Sequence, residues 1–211
     1  MIKSFERVLV LSPHTDDGEL GAGGLIAKLI EEGTQVEYLA FSACEDSVSS
    51  DFPKDILREE VIEACSKLGL KSKHVNTLNF QVRRFSERRQ NILDEMILIK
   101  KEFEPELVLC PSLKDVHQDH SIIAHEALRA FKQNCLISYE LPWNNLEFKN
   151  QLSVSLSENQ ILKKCAAIEC YKSQEKREYM QKDYIMSLAK TRGCQVGKPL
   201  AEMYEVIKWI L

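Results

Sequence analysis

Apolar positions along this chain switch repeatedly between a continuous or alternating spacing and a helical one, and the switches predict its elements. Val8 to Leu11 is an unbroken aliphatic run, the mark of a strand buried on both faces, and Pro13 closes it. Leu20, Leu25, Ile26, Leu29 and Ile30 then recur at helical spacing, with Gly33 as the stop. The same alternation continues with a strand over Gln35 to Phe41, a helix from Ile56 to Leu68 closed by Gly69, and a short strand from His74 to Leu78. A helix through Ile92 to Ile99 precedes a strand over Leu107 to Cys110 that Pro111 ends. A helix through Ile122 to Phe131 and a strand over Cys135 to Tyr139 follow. Ser157-Glu-Asn-Gln160 has the form of a capping box opening a helix to Ile168. A last helix around Tyr179 to Ala189 runs up to Thr191-Arg192-Gly193, and Tyr204 to Ile210 closes the chain as a strand. Strands alternating with helices predict an α/β fold, Rossmann-like, with a mostly parallel sheet and helices on both faces. With no internal repeat or linker, residues 1–211 are expected to form one domain.

Two polar clusters fall where such a fold binds ligands, just outside the carboxyl ends of strands. His14-Thr-Asp16-Asp17 follows the first strand, and Asp115-Val-His117-Gln-Asp119-His120 follows the fourth. Each lies beyond a strand-ending proline. The polar stretch Ser42 to Pro53 after the second strand is long enough to fold over the same edge and carry substrate contacts.

Composition narrows the partners. The net charge is −4 with both signs interspersed, so there is no basic footprint for nucleic acid and no polybasic membrane patch. No apolar run reaches bilayer-spanning length, and the N-terminus shows no secretory h-region. The seven cysteines include no C-x-x-C pair and sit mostly in apolar segments, which reads as buried thiols in a reducing compartment. The expected location is the cytoplasm.

A catalytic divalent metal takes three protein ligands and leaves positions for water and substrate. His14 and Asp17 are three apart, as are His117 and His120, with Asp16 and Asp119 between them. A carboxylate beside a ligand, yet not bound, is placed to accept a proton from the metal's water. The competing account makes Asp16 and Asp17 an ordinary helix cap. Capping does not explain why three of five histidines fall in two such clusters; His74 and His125 stand apart and read as structural. Gly21-Ala-Gly23-Gly24 suggests a dinucleotide loop, but Ile26 stands where a small residue is needed and the acidic cluster would repel a pyrophosphate. Those glycines are better read as close packing of the first helix on the sheet.

These motifs resemble the PIG-L/LmbE family of zinc-dependent de-N-acetylases. The family's first motif, His-Pro-Asp-Asp-x-Glu-Leu-Gly-x-Gly-Gly, stands here from His14 to Gly24 with Thr15 for proline, and His-x-Asp-His stands as His117 to His120. Arg58-Glu59-Glu60, Tyr171-Lys-Ser173-Gln174, Arg192-Gly193, Gly197 and Ala201-Glu202 extend the likeness along the chain. The resemblance implies His14, Asp17 and His120 as zinc ligands and Asp16 as general base. It further implies His117 at the reacting carbonyl and Asp119 orienting a histidine. It implies hydrolysis of an N-acetylglucosamine-type amide by a zinc-activated water, and assembly into homo-oligomers, with Leu141-Pro142-Trp143 as candidate contact surface. Such a donor set also accepts Fe2+, manganese or cobalt. Arg58 resembles a family arginine near the substrate, and Arg83-Arg84 are placed to reach an anionic aglycone. A metal-dependent phosphoesterase and a non-catalytic binding module are the alternatives at this stage.

Overall fold

The computed structural model describes residues 5–210. Five strands run parallel: β1 (Arg7–His14), β2 (Gln35–Ser42), β3 (Val75–Thr77), β4 (Leu107–Pro111) and β5 (Cys135–Tyr139). Two more, β6 (Leu152–Ser155) and β7 (Ala201–Lys208), extend the sheet antiparallel to give the order β3-β2-β1-β4-β5-β7-β6. The helices are α1 (Asp17–Glu31), α2 (Ile56–Leu68), α3 (Arg89–Phe103), α4 (Gln118–Ala130), α5 (Glu158–Ile168) and α6 (Lys182–Gln195).

The two-sided burial read from Val8 to Leu11 divides the core. Val8 and Val10 join the cluster of α1, α2 and α5, whereas Leu9 and Leu11 join that of α3 and α4. All four are fully buried, each contributing about 1.5–3 kcal/mol by leaving water. Helix α1 lies close to the sheet because its inward positions lack side chains. A Cβ at Gly18 would sit 2.6 Å from the Tyr38 ring, and one at Gly21 would sit 2.2 Å from that of Tyr139. Ser157 and Gln160 form the expected capping box of α5.

Several expectations change. Pro13 lies within β1 rather than ending it: pairing with β4 stops at Val10, while pairing with β2 resumes at His14 and Ser42, so the missing N–H costs no ladder bond at Pro13. Arg192-Gly193 lies inside α6, not beyond its end. A Cβ at Gly193 would be 2.5 Å from the Lys198 carbonyl oxygen, so this glycine serves the return of the chain toward β7. β6, a four-residue edge strand, carries too weak an apolar pattern to be seen in sequence. Leu141 is fully buried, while Pro142 and Trp143 are half-buried and Trp143 stacks on Tyr179 with ring centroids 4.0 Å apart. Five cysteines are buried, but Cys44 is half-buried and Cys194 exposed. No helix among the described residues is long and apolar enough to cross a membrane.

Candidate active site

Strands β1 and β4 are parallel neighbours, which sets their carboxyl ends side by side and brings the two polar clusters together. His14 is the last residue of β1 and Asp17 the first of α1; His120 lies in the first turn of α4. Asp16 occupies the N-cap position of α1, yet its side chain makes no capping bond. The Gly18 N–H goes instead to Ser12 Oγ at 2.9 Å, and the Asp17 carboxylate turns back to accept the His14 N–H at 2.9 Å. The capping account therefore leaves the Asp16 carboxylate unexplained.

Three atoms converge. His14 Nδ1 and Asp17 Oδ2 are 3.1 Å apart, Asp17 Oδ2 and His120 Nε2 are 3.1 Å apart, and His120 Nε2 and His14 Nδ1 are 3.1 Å apart. A tetrahedron of bonds of about 2.0–2.1 Å has edges of about 3.3 Å, close to this triangle. The outer nitrogens of both rings are already engaged. His14 Nε2 donates to Asp119 Oδ2 at 3.1 Å and His120 Nδ1 donates to Asp115 Oδ2 at 2.8 Å. Each ring thus turns a lone pair toward a carboxylate oxygen, three acceptors with no donor among them. A buried triangle of this kind requires positive charge, either a proton or a cation. Both ring arrangements are those of metal-ligating histidines held by carboxylates.

His117 stands beside the triangle rather than in it. Ligand-capable atoms of His14, His117 and His120 lie within 4.8 Å of one another, a looser grouping than the 3.1 Å triangle with Asp17. His117 Nδ1 accepts the Asp119 N–H at 3.2 Å as the N-cap of α4, which leaves its Nε2–H as a donor. Asp119 Oδ2 also accepts the Arg83 N–H at 2.6 Å, and its buried Oδ1 has no hydrogen-bond partner among the described residues.

The family called PIG-L, described as GlcNAc-PI de-N-acetylase, matches residues 9–131, more than half of the chain and both polar clusters. The chain belongs to the PIG-L family. A relative, the uncharacterized deacetylase YaiS of Escherichia coli (strain K12), is 24% identical over 170 residues, covering 79% of this chain and 90% of its own. The N,N'-diacetylchitobiose deacetylase of Pyrococcus horikoshii superposes with a TM-score of 0.79 at 20% identity, over 96% of this chain and 84% of that one. GalB, the 4-carboxy-2-hydroxymuconate hydratase of Pseudomonas putida KT2440, superposes with a TM-score of 0.78 at 23% identity, over 98% of both chains. A deacetylase and a hydratase share this fold. Its chemistry must therefore be argued from the side chains.

The charges divide the PIG-L site into roles. Burial alone would lower the His120 imidazolium, but Asp17 and Asp115 on either side outweigh it and carry the ring up to about 10. His14 is likewise raised, burial being overcome by Asp17 and Asp119. Burial opposes the Asp17 charge, yet His120 and His14 hold it well below the usual carboxylate range. Asp16 goes the other way: burial first, then the Asp17 charge, push it up to about 6. His117 falls to about 4 through burial and the neighbouring His120 and His14, so it is a neutral ring at pH 7.

An open cleft of ≈ 590 Å³ runs past these groups, lined by His14, Asp16 and His117 together with Cys44, Arg83, Gln174 and Arg177. The loop after β2 reaches it through Cys44 and Ser47. Of the three arginines named from sequence, only Arg83 lines this cleft. Arg58 faces a neighbouring depression, where its guanidinium bonds Glu45 Oε1 at 2.9 Å and Asn79 Oδ1 at 2.6 Å. Arg84 is exposed and pairs with Glu87 at 3.1 Å. Sequence reading passed over Asp115, although its place five residues before His120 in a polar turn was a usable signal. Arg177 carried no such signal, lying in an unpatterned polar stretch.

Proposed function

We propose that this protein is a divalent-metal-dependent N-deacetylase acting on an N-acetylglucosamine-type amino sugar or conjugate. Zinc is the metal best suited to two imidazoles and one carboxylate, with Fe2+ as the runner-up. The observation that carries the reading is the triangle of acceptor atoms on His14, Asp17 and His120, set beside one spare carboxylate and one neutral imidazole donor. The choice of amide hydrolysis within this geometry rests on membership of the PIG-L family.

His14, Asp17 and His120 would hold the metal, with Asp119 and Asp115 fixing the two rings. When bound, the cation supplies Lewis acidity to a water and to the amide oxygen. The chain does the rest. Asp16, poised near pH 6, takes a proton from the water as the oxygen adds to the carbonyl carbon. His117 keeps its Nε2–H for the carbonyl oxygen as negative charge grows there. Asp16 then returns the proton to the amine nitrogen as the C–N bond breaks, releasing acetate and the free amino sugar. Among residues lining the cleft, Asp16 is the only carboxylate, which leaves little to hold the second metal of a phosphoesterase.

The test is acetate release by purified, zinc-loaded protein from a panel of N-acetylglucosamine conjugates, with metal analysis of the same sample. About one metal per chain and acetate from at least one conjugate are expected. A fully metallated protein that releases none from any member removes the reading.

A further inference from the structure

We infer that Tyr38 and Tyr171 are positioning residues for Asp16: their hydroxyls grip the Thr15 carbonyl from beneath the cleft and fix the peptide that aims the Asp16 carboxylate. The role of Asp16 rests on the deacetylase reading, whereas the grip rests on geometry alone.

Both tyrosines are buried, and neither lines the cleft. Tyr38 stands on β2 and Tyr171 follows the end of α5, so they reach the same atom from different parts of the chain. Tyr38 Oη is 2.8 Å and Tyr171 Oη 2.7 Å from the Thr15 carbonyl oxygen. That oxygen only accepts, so in this contact the phenols are the donors. Behind them sits the fully buried carboxyl of Glu19, whose Oε1 is 2.7 Å from Tyr171 Oη and whose Oε2 meets Tyr38 Oη. One carboxyl thus spans both hydroxyls, and such a buried network holds its members to one arrangement. Gly18 makes the room, since a Cβ there would sit 2.6 Å from the Tyr38 oxygen.

The Thr15 carbonyl shares a rigid peptide plane with the Asp16 N–H, so gripping one end orients the other. Ser12 extends the hold to the flanking peptides. Its hydroxyl donates to the His14 carbonyl oxygen, accepts the Gly18 N–H at 2.9 Å and lies 2.9 Å from Tyr38 Oη. Asp16 has no capping bond of its own to set its direction. Thr15 stands where the family motif carries proline, so no ring restrains the backbone just before it. The Tyr171 end is anchored in turn, where buried Glu60 of α2 accepts the Ser173 N–H and hydroxyl at 3.0 and 2.6 Å. Glu60 and the stretch Tyr171-Lys-Ser173, distant from both polar clusters in sequence, thereby belong to the support of the site. A base works only within hydrogen-bond reach of its proton, so a carboxylate displaced by about 1 Å loses most of its effect while metal and substrate stay bound.

The test compares zinc-loaded wild type, Tyr171→Phe and Tyr38→Phe on the N-acetylglucosamine conjugate that the wild type hydrolyses fastest. Each variant should lower kcat about 10–100-fold with KM and zinc content unchanged. Tyr204→Phe, which removes another buried hydroxyl from a carboxylate, at 2.7 Å from Glu202, should leave kcat alone. In the Asp16→Asn background Tyr171→Phe should add no further loss, because it acts through the missing carboxylate. An unchanged kcat in both single variants, or a loss of the same size with Asp16 already replaced, overturns the inference. Amide exchange of the same zinc-loaded proteins reads the grip without turnover. The Leu20 N–H, bonded to the Asp16 carbonyl at 3.0 Å, and the Gly18 N–H should exchange about tenfold faster in the variants, while the amides of β5 keep their rates. Unaltered exchange at both positions likewise overturns the inference. Should the wild type hydrolyse no acetamide, faster exchange at these amides leaves the grip standing, and only the deacetylase reading falls.

Discussion

Helix α1 carries two buried carboxylate environments, one at its start and one against its middle, and they are built in opposite ways. At its start, Asp17 accepts the His14 N–H at 2.9 Å and otherwise faces the inner ring nitrogens of His14 and His120, a group completed only by a proton or a cation. Against its middle, Glu202 from β7 is surrounded by donors: the N–H groups of Gly24 and Leu25 at 2.9 and 2.8 Å, Lys164 Nζ at 2.7 Å and the Tyr204 hydroxyl at 2.7 Å. Burial and charge alone do not separate the two, since both acids are buried. The neighbours do: acceptors facing a carboxylate make a place for a cation, whereas donors facing it make a finished structural joint.

The comparison breaks first at Asp16. Asp16→Asn should keep the metal and lose about 10²–10⁴-fold in kcat for amide hydrolysis, read by acetate release alongside metal content. The wild-type rate should climb through pH 6 as the carboxylate ionises, and the variant should lack that limb. An active variant would return Asp16 to a mere helix start.

The structural joint should fail in a different measurement. Lys164→Met leaves the buried Glu202 charge without its cation and should cost about 3 kcal/mol in urea unfolding, with metal affinity unchanged. Asp115→Asn should do the converse, weakening metal binding about 10–100-fold in a competition titration while the unfolding of the metal-free protein changes little by comparison. If the two variants produced the same pair of effects, the distinction between the start and the middle of α1 would collapse.

The smallest effect concerns Glu19, which lies between them. Burial, the dominant cause, pushes its carboxyl up to about 8 against the hydroxyls of Tyr38 and Tyr171, the latter at 2.7 Å. A pKa raised by folding means the folded state holds the proton longer than the unfolded one. The stabilisation is complete below about pH 4, the ordinary carboxylate range, and is lost as the pH rises to 8. Melting temperature followed over that window should fall more in the wild type than in Glu19→Gln; parallel curves would place the ionised carboxylate comfortably in the site.

Much of this is legible in the sequence. The strand-helix alternation, the helix stops at Gly33 and Gly69 and the capping box at Ser157 are local effects, set by side-chain periodicity and backbone conformational preference. The placing of both polar clusters beyond strand ends follows from the same local signals. Less visible were β6, whose pattern is short and half-exposed, and the true end of α6, where a glycine that looks like a terminator serves a close contact. Arg58 and Arg84 were drawn to the site by their type and position, yet a nearby glutamate claims each.

The sequence by itself determined which residue types are available and near which strand ends they emerge, because hydrophobic periodicity is a short-range property. Only the tertiary structure decided which atoms face one another. Pairing β1 with β4 brings residues more than a hundred positions apart within 3.1 Å and turns the rings of His14 and His120 by way of Asp119 and Asp115. Those relations depend on register and packing across the sheet, for which no local pattern in the chain carries a record.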